Sequence, residues 1–126
     1  MRLLLDSHAL IWWMEDHPKL SRRAEQAIGE GQIFVSAVSA MEICTKHRIG
    51  KLPSAVLLAE RFEQEVLTEG FEILPLQASH ARMAGNFPDP HKDPFDRMLI
   101  AQALLEGLVL VSNETLFDRF GVQRLW

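Results

Sequence analysis

One cysteine, Cys44, stands among 126 residues, so the chain cannot close a disulfide on itself. A disulfide framework is excluded, and this usage fits a reducing cytoplasm. Long apolar runs are missing as well. None approaches the ~20 residues that a membrane span needs, so no membrane partner is expected. The N-terminus runs Met1-Arg2-Leu3-Leu4-Leu5 and meets Asp6 at once, which leaves no secretory apolar region. No Gly-x-Gly-x-x-Gly follows this first apolar run, which counts against a Rossmann-type dinucleotide enzyme or a phosphatase-like one. His8, His80 and His91 have no Cys or His partner at zinc spacing, and His8 is expected to be structural. Repeats, low-complexity tracts and linkers are absent. An excess of positive charge is also lacking: 13 Lys and Arg face 17 Asp and Glu, for a net charge of −4. That is awkward for a nucleic-acid binder, because phosphate affinity usually rests on Lys and Arg. Setting aside four acids gathered in one pocket would leave a neutral remainder, and a cation held there would reverse the local sign.

What is present suits one folded domain over residues 1–126, with 48% hydrophobic and 24% charged residues. Residues 2–5 read as a buried strand, followed by an amphipathic helix over 8–15 that His17-Pro18 breaks. Ser21 caps a second helix ending near Gly29 or Gly31, and 32–36 form a second strand. Ser39 is expected to open a third helix to about Ile49, with Gly50 as its stop. A fourth helix covers about 54–69, a strand 71–75 and a helix 78–85. A loop rich in Pro, Asp and His leads to a helix over 94–106, the strand 108–111, a helical turn at 114–119 and a last strand near 121–125. Short strands, apolar on both faces and alternating with helices, predict a three-layer α/β/α sandwich. Its central sheet would be mainly parallel, with four to five strands. Ligands of such sheets bind beyond the carboxyl ends of the strands.

Several acids fall at those ends, and each has a plain local explanation. Asp6 follows the first strand directly, where an N-cap is expected. Glu42 comes three residues after Ser39, a capping-box spacing, on the helix that follows the second strand. Asp93 is a natural N-cap with Pro94 at the first helical position, which puts Asp96 where an acid complements the helix dipole. Glu114 opens the turn after the strand 108–111, with Asp118 one turn on and expected in solvent. Taken together, Asp6, Glu42, Asp96 and Glu114 would meet at one edge of a parallel sheet. Two such charges ~4 Å apart cost about 4 kcal/mol at an effective dielectric near 20. A cluster of this kind takes up protons or binds a cation. Ligands that are all oxygen favour Mg²⁺ or Mn²⁺ over zinc, and one water kept on the ion is a candidate nucleophile.

Four fragments in order carry a resemblance: Leu3-Leu-Leu-Asp6-Ser-His-Ala-Leu-Ile-Trp-Trp, Val35-Ser-Ala-Val-Ser-Ala-Met-Glu42-Ile, Asp93-Pro-Phe-Asp96-Arg-Met-Leu-Ile-Ala-Gln-Ala and Leu110-Val-Ser-Asn-Glu114. Over essentially its whole length the chain resembles a PIN domain. More narrowly, it resembles the VapC-type toxins of bacterial toxin–antitoxin pairs. The resemblance implies an endoribonuclease dependent on Mg²⁺ or Mn²⁺, hydrolysing RNA in line through metal-activated water. It also implies a cognate antitoxin, VapB-like or other, and a homodimer. By the same resemblance Asp6, Glu42 and Asp96 hold the metal, while Ser7 and Ser112 support the acids. One departure stands out: Glu114 occupies a position where the family usually has aspartate, and Asp118 is the weaker substitute. That departure alone favours the alternative, a catalytically weak PIN module that mainly binds a protein partner.

Other residues carry two readings each. Lys46, His47, Arg48 and Lys51 are either phosphate contacts or a solvated face with favourable charge at a helix C-terminus. Arg97 would pair with an acid or a phosphate. Cys44 lies on an apolar helix face and is expected to be a packed core thiol. One of Trp12 and Trp13 is expected in the core and the other beside an apolar groove. The stripe Leu57, Leu58, Phe62 and Val66 is either core or a groove for an antitoxin helix or dimer contact.

Overall fold

In a computed structural model that describes all 126 residues, the first strand, β1, is Arg2–Leu5, and three of its side chains are fully buried. Burying a leucine contributes about 1.5–3 kcal/mol, so this short run is a strong local anchor. Alternation along the strand sends Leu3 and Leu5 to one face of the sheet and Leu4 to the other. The neighbouring strands follow suit. Ile33 and Val35 of β2 (Gln32–Ser36) join the first face, and Phe34 joins the second.

The remaining strands are β3 (Glu72–Leu74), β4 (Val109–Val111) and β5 (Arg124–Leu125). They form one five-stranded sheet in the order β3-β2-β1-β4-β5. Every pairing is parallel, with Leu3 to Leu5 in register with Ile33 to Val35 on one side and Val109 to Val111 on the other. The chain builds outward from β1 to β3 and then returns to the other side of β1. The order therefore reverses between β1 and β4, the position at which such sheets open a crevice.

Helices cover both faces. On one side lie α1 (Ser7–Met14), α2 (Arg22–Glu30), α3 (Ala37–Arg48) and α4 (Val56–Thr68), over a core that includes Leu10, Ile28, Ile43, Leu58 and Phe62. The helix α6 (Pro94–Glu106) covers the other face through Leu99, Ile100 and Ala103, with α5 (Ala78–Asn86) before it. Short 3-10 turns occupy Pro53–Ala55 and Thr115–Phe120. No helix is long and apolar enough to cross a membrane.

The expected order of elements is present, and the sheet is five-stranded and wholly parallel. Some details differ. The third helix begins at Ala37 and is capped by Ser36, whose Oγ accepts from Val38 N at 3.0 Å. Ser39 is inside the helix, so the Ser39–Glu42 capping box does not form. Its hydroxyl is buried with no hydrogen-bond partner. Cys44 is exposed, its Sγ donating weakly to Ala59 O at 3.4 Å. The inward stripe of α3 is Val38, Ser39, Glu42 and Ile43, and at ~3.6 residues per turn Cys44 falls nearly opposite its centre. The last strand is shorter than 121–125, because Gly121 at φ 77° ends the preceding turn in a left-handed conformation. Leu58, Phe62 and Val66 are core, whereas Leu57 is exposed. Trp12 and Trp13 both pack against the larger core, and neither lines the groove beside Leu57.

Candidate active site

The carboxyl end of β1 delivers Asp6 as the cap of α1, with Oδ1 accepting from Ala9 N at 2.8 Å. Its own N–H donates to Val111 O at 3.1 Å, which fixes it beside the end of β4. Asp6 is therefore both the expected cap and 6% exposed at the reversal of strand order. On α3, Glu42 is 4% exposed and fully engaged. Ser7 Oγ donates to Oε1 at 2.5 Å, and Lys46 Nζ sits 2.6 Å from Oε2.

Asp93 caps α6, accepting from Phe95 N and Asp96 N, with Pro94 opening the helix as expected. Asp96 then projects from the first turn, and His91 Nε2 stands 2.8 Å from its Oδ2. Beyond β4, Ser112 Oγ accepts from Glu114 N at 3.0 Å. Glu114 is exposed as a residue, yet its side chain reaches the same wall. One cavity of about 130 Å³ is lined by Asp6, Ser7, His8, Glu42, Lys46, Asp93, Asp96, Leu99 and Glu114. All four acids singled out in the sequence thus share it. Asp118 does not: it lies in solvent and holds Arg124 through both carboxylate oxygens at 2.9 and 3.1 Å.

Crowding shows in proton affinities. Burial raises the Asp6 carboxyl above its ordinary 3.8, against the pull of the Ser112 hydroxyl and the Ala9 N–H. Asp96 is pushed up to about 6, again chiefly by burial. The His91 hydrogen bond opposes the shift, and the charges of Asp93 and Glu42 add to it. Burial works against the charge on Lys46, but Glu42, Asp93 and Asp96 outweigh it and its affinity rises.

The donor set is carboxylate oxygen, which suits a hard divalent cation. No three of the acids or histidines are disposed to share an ion as they stand. Each acid is instead engaged elsewhere. Glu42 is taken up by Ser7 and Lys46, Asp96 by His91, and Asp6 by the backbone of α1. An ion could take these oxygens once Lys46 leaves Glu42 and His91 yields Asp96.

Three contacts escaped the sequence reading. Lys46 is neither a solvated residue nor a free one, although its spacing four residues after Glu42 was a usable signal. His91 lies in a loop without periodicity, and nothing local pointed to Asp96. Arg97 pairs with no acid. It donates to the backbone carbonyls of Ala84, Phe87, Asp89 and His91 at 2.7–2.9 Å, tying down the loop that carries His91.

A PIN-domain model matches residues 3–123, and the chain belongs to the PIN-domain family. Ribonuclease VapC22 of Mycobacterium tuberculosis is 32% identical over 117 residues, covering 89% of this chain and 86% of that protein. The VapBC2 complex of Rickettsia felis, bound to a promoter DNA fragment, matches with a TM-score of 0.71 at 16% identity, over 99% of this chain and 98% of that one. FitAcB of Neisseria gonorrhoeae matches with a TM-score of 0.72 at 19% identity, over 100% and 97%. VapC20 of Mycobacterium tuberculosis, a toxin that cleaves the sarcin–ricin loop, gives 0.67 at 13% identity, over 95% of each chain. At these identities the structural likeness is one of fold.

Proposed function

We propose that this chain is a divalent-metal-dependent endoribonuclease, the toxin of a VapC-type toxin–antitoxin pair, working at Asp6, Glu42, Asp96 and Glu114. The observation that carries the reading is the convergence of four carboxylates from four separate segments on one small cavity at the reversal of strand order. The relationship to Ribonuclease VapC22 supports RNA as the substrate class.

Asp6, Glu42 and Asp96 would hold Mg²⁺ or Mn²⁺, with Glu114 reaching in from the rim. Such an ion supplies a more acidic water and offsets charge on the phosphate. The chain's own residues do the rest. Ser7 keeps Glu42 Oε1 oriented, His91 orients Asp96, and the Ala9 N–H holds Asp6. Asp96 is pushed up to about 6, so its carboxylate is mainly ionised and open to an ion only above about that pH. One of these carboxylates would also accept the proton of the attacking water.

An antitoxin is the proposed protein partner, in keeping with the VapBC and FitAcB complexes that share the fold. A shallow groove lined by Ile11, Met14, Leu57 and Leu58 and rimmed by Glu15 and Glu65 is its candidate seat, and a homodimer is proposed alongside. The catalytically weak module stays as the second reading because Glu114 is exposed and longer than the aspartate expected there.

Asp6→Asn tests the function. We expect RNA cleavage in Mg²⁺ to fall more than ~100-fold, beyond the cost typical of partners outside the ligand shell. In EDTA the variant should melt no lower than wild type, because one repelling charge is gone. Retained cleavage would defeat the proposed site. A clear drop in melting temperature in EDTA would reduce Asp6 to a helix cap.

A further inference from the structure

The acid cavity has a cation in its wall. Lys46 follows Glu42 by one helical turn, and its Nζ lies 2.6 Å from Glu42 Oε2. Most pairs of this spacing sit in solvent and contribute little. Here the carboxylate side chain is only 6% exposed and the lysine 28%, and both border the cavity with Asp6, Asp93 and Asp96. Ser7 already occupies Glu42 Oε1. Lys46 holds the other oxygen, Oε2, so an ion approaching Glu42 there meets the ammonium first.

A divalent cation and an ammonium brought to that one oxygen repel each other strongly. We propose that Lys46 is a resident counter-cation that competes with divalent metal for Glu42. When the metal is bound, the freed ammonium contacts the RNA phosphate in the same cavity. This rests on the metal-dependent reading above. The competition follows from charge. In the metal-free protein, Lys46 is the cation held on Glu42 and limits the repulsion between it and the neighbouring carboxylates. The second role follows from reach: a four-carbon stem carrying a point charge suits a phosphate a few ångströms away.

The experiment is equilibrium Mn²⁺ binding to the full chain without RNA, read by the electron paramagnetic signal of free Mn²⁺. It compares wild type with Lys46→Met, Lys46→Gln and Lys46→Arg. Removing one positive charge ~4 Å from the ion should tighten Mn²⁺ binding about fivefold or more in the Met and Gln variants. The Arg variant should bind no tighter than wild type. Mn²⁺ should also raise the melting temperature of Lys46→Met and Lys46→Gln more than that of wild type. Gln keeps a donor for Glu42, so one variant should fold even if Met does not. With RNA, KM should rise in Met and Gln and recover in Arg. Unchanged or weaker Mn²⁺ binding in both neutral variants overturns the competition, and an unchanged KM overturns the phosphate contact. If neither wild type nor the variants bind Mn²⁺, the metal-dependent reading falls and takes this inference with it. Binding by the variants alone supports the competition.

Discussion

The two ends of the sheet differ in a way that volume does not reveal. Around the amino end of β1, a cavity of about 420 Å³ is lined by Met1, Arg23, Gln26, Ala27, Glu30, Gly31 and Leu125. The cavity at the carboxyl end holds only about 130 Å³. Yet the smaller one is lined by buried polar groups, Asp6, Ser7 and Glu42, while the buried Ser36 and Ser112 close the ends of β2 and β4. The larger space borders charged side chains that remain in solvent and cost nothing to keep ionised. Carboxylates held against their own repulsion mark a place where folding has been made to accept a cost, and a cation can reclaim it.

Variants at each end should separate stability from activity. The largest stability effect is expected at the amino end. A Cβ on Gly31 would meet Met1 O at 2.8 Å and Ala27 O at 2.9 Å, both backbone atoms. Gly31→Ala should therefore destabilise by about 1–3 kcal/mol, measured by urea unfolding, while cleavage per folded molecule stays at the wild-type value. A matching loss of specific activity would show that the two ends are coupled.

Next comes Ser7→Ala, which strips a donor from Glu42 Oε1 in a buried site. We expect about 1–2 kcal/mol of destabilisation. Cleavage should also fall, by about 10-fold or more. Loss of stability without loss of cleavage would make Ser7 a packing residue.

A smaller effect is the pH dependence of Asp96. Its folded-state affinity is raised to about 6 from 3.8, so the folded chain holds this proton more tightly than the unfolded one. The stability from that protonation is complete below about pH 4 and fades as pH rises through about 6. In EDTA, the melting temperature of Asp96→Asn relative to wild type should climb between about pH 4 and pH 7. A flat difference would mean that the carboxylate is well solvated. The smallest effect belongs to Arg23→Ala in the large cavity, where stability should move by less than ~0.5 kcal/mol and cleavage not at all.

Much of the fold was legible because its signals are local. Leu3-Leu4-Leu5 before an acid, Ser21 before a helix, and Asp93-Pro94 at a helix start each act within a few residues. A single-residue cap signal misleads where a strand runs straight into a helix: Ser39 was expected to open α3, but the end of β2 makes Ser36 the cap and leaves Ser39 buried without a partner. Cys44 was misplaced because the inward face of α3 is set by what it packs on. Arg97 sits beside an acid in sequence, but three of the four carbonyls it holds, those of Phe87, Asp89 and His91, belong to a loop of no regular pattern.

By itself the sequence determined the alternation of strand and helix and the placing of an acid at successive strand ends, since apolar runs and caps are short-range properties. Tertiary structure alone decided which of those acids meet. The order β3-β2-β1-β4-β5 brings Ser7 to Glu42 across 35 residues and Ser36 to Gln102 across 66. It also placed Lys46 and His91 on the carboxylates and sent Asp118 out to Arg124. Contacts of that range leave no periodic trace in a chain, because they exist only when a whole sheet and both of its helical layers have closed.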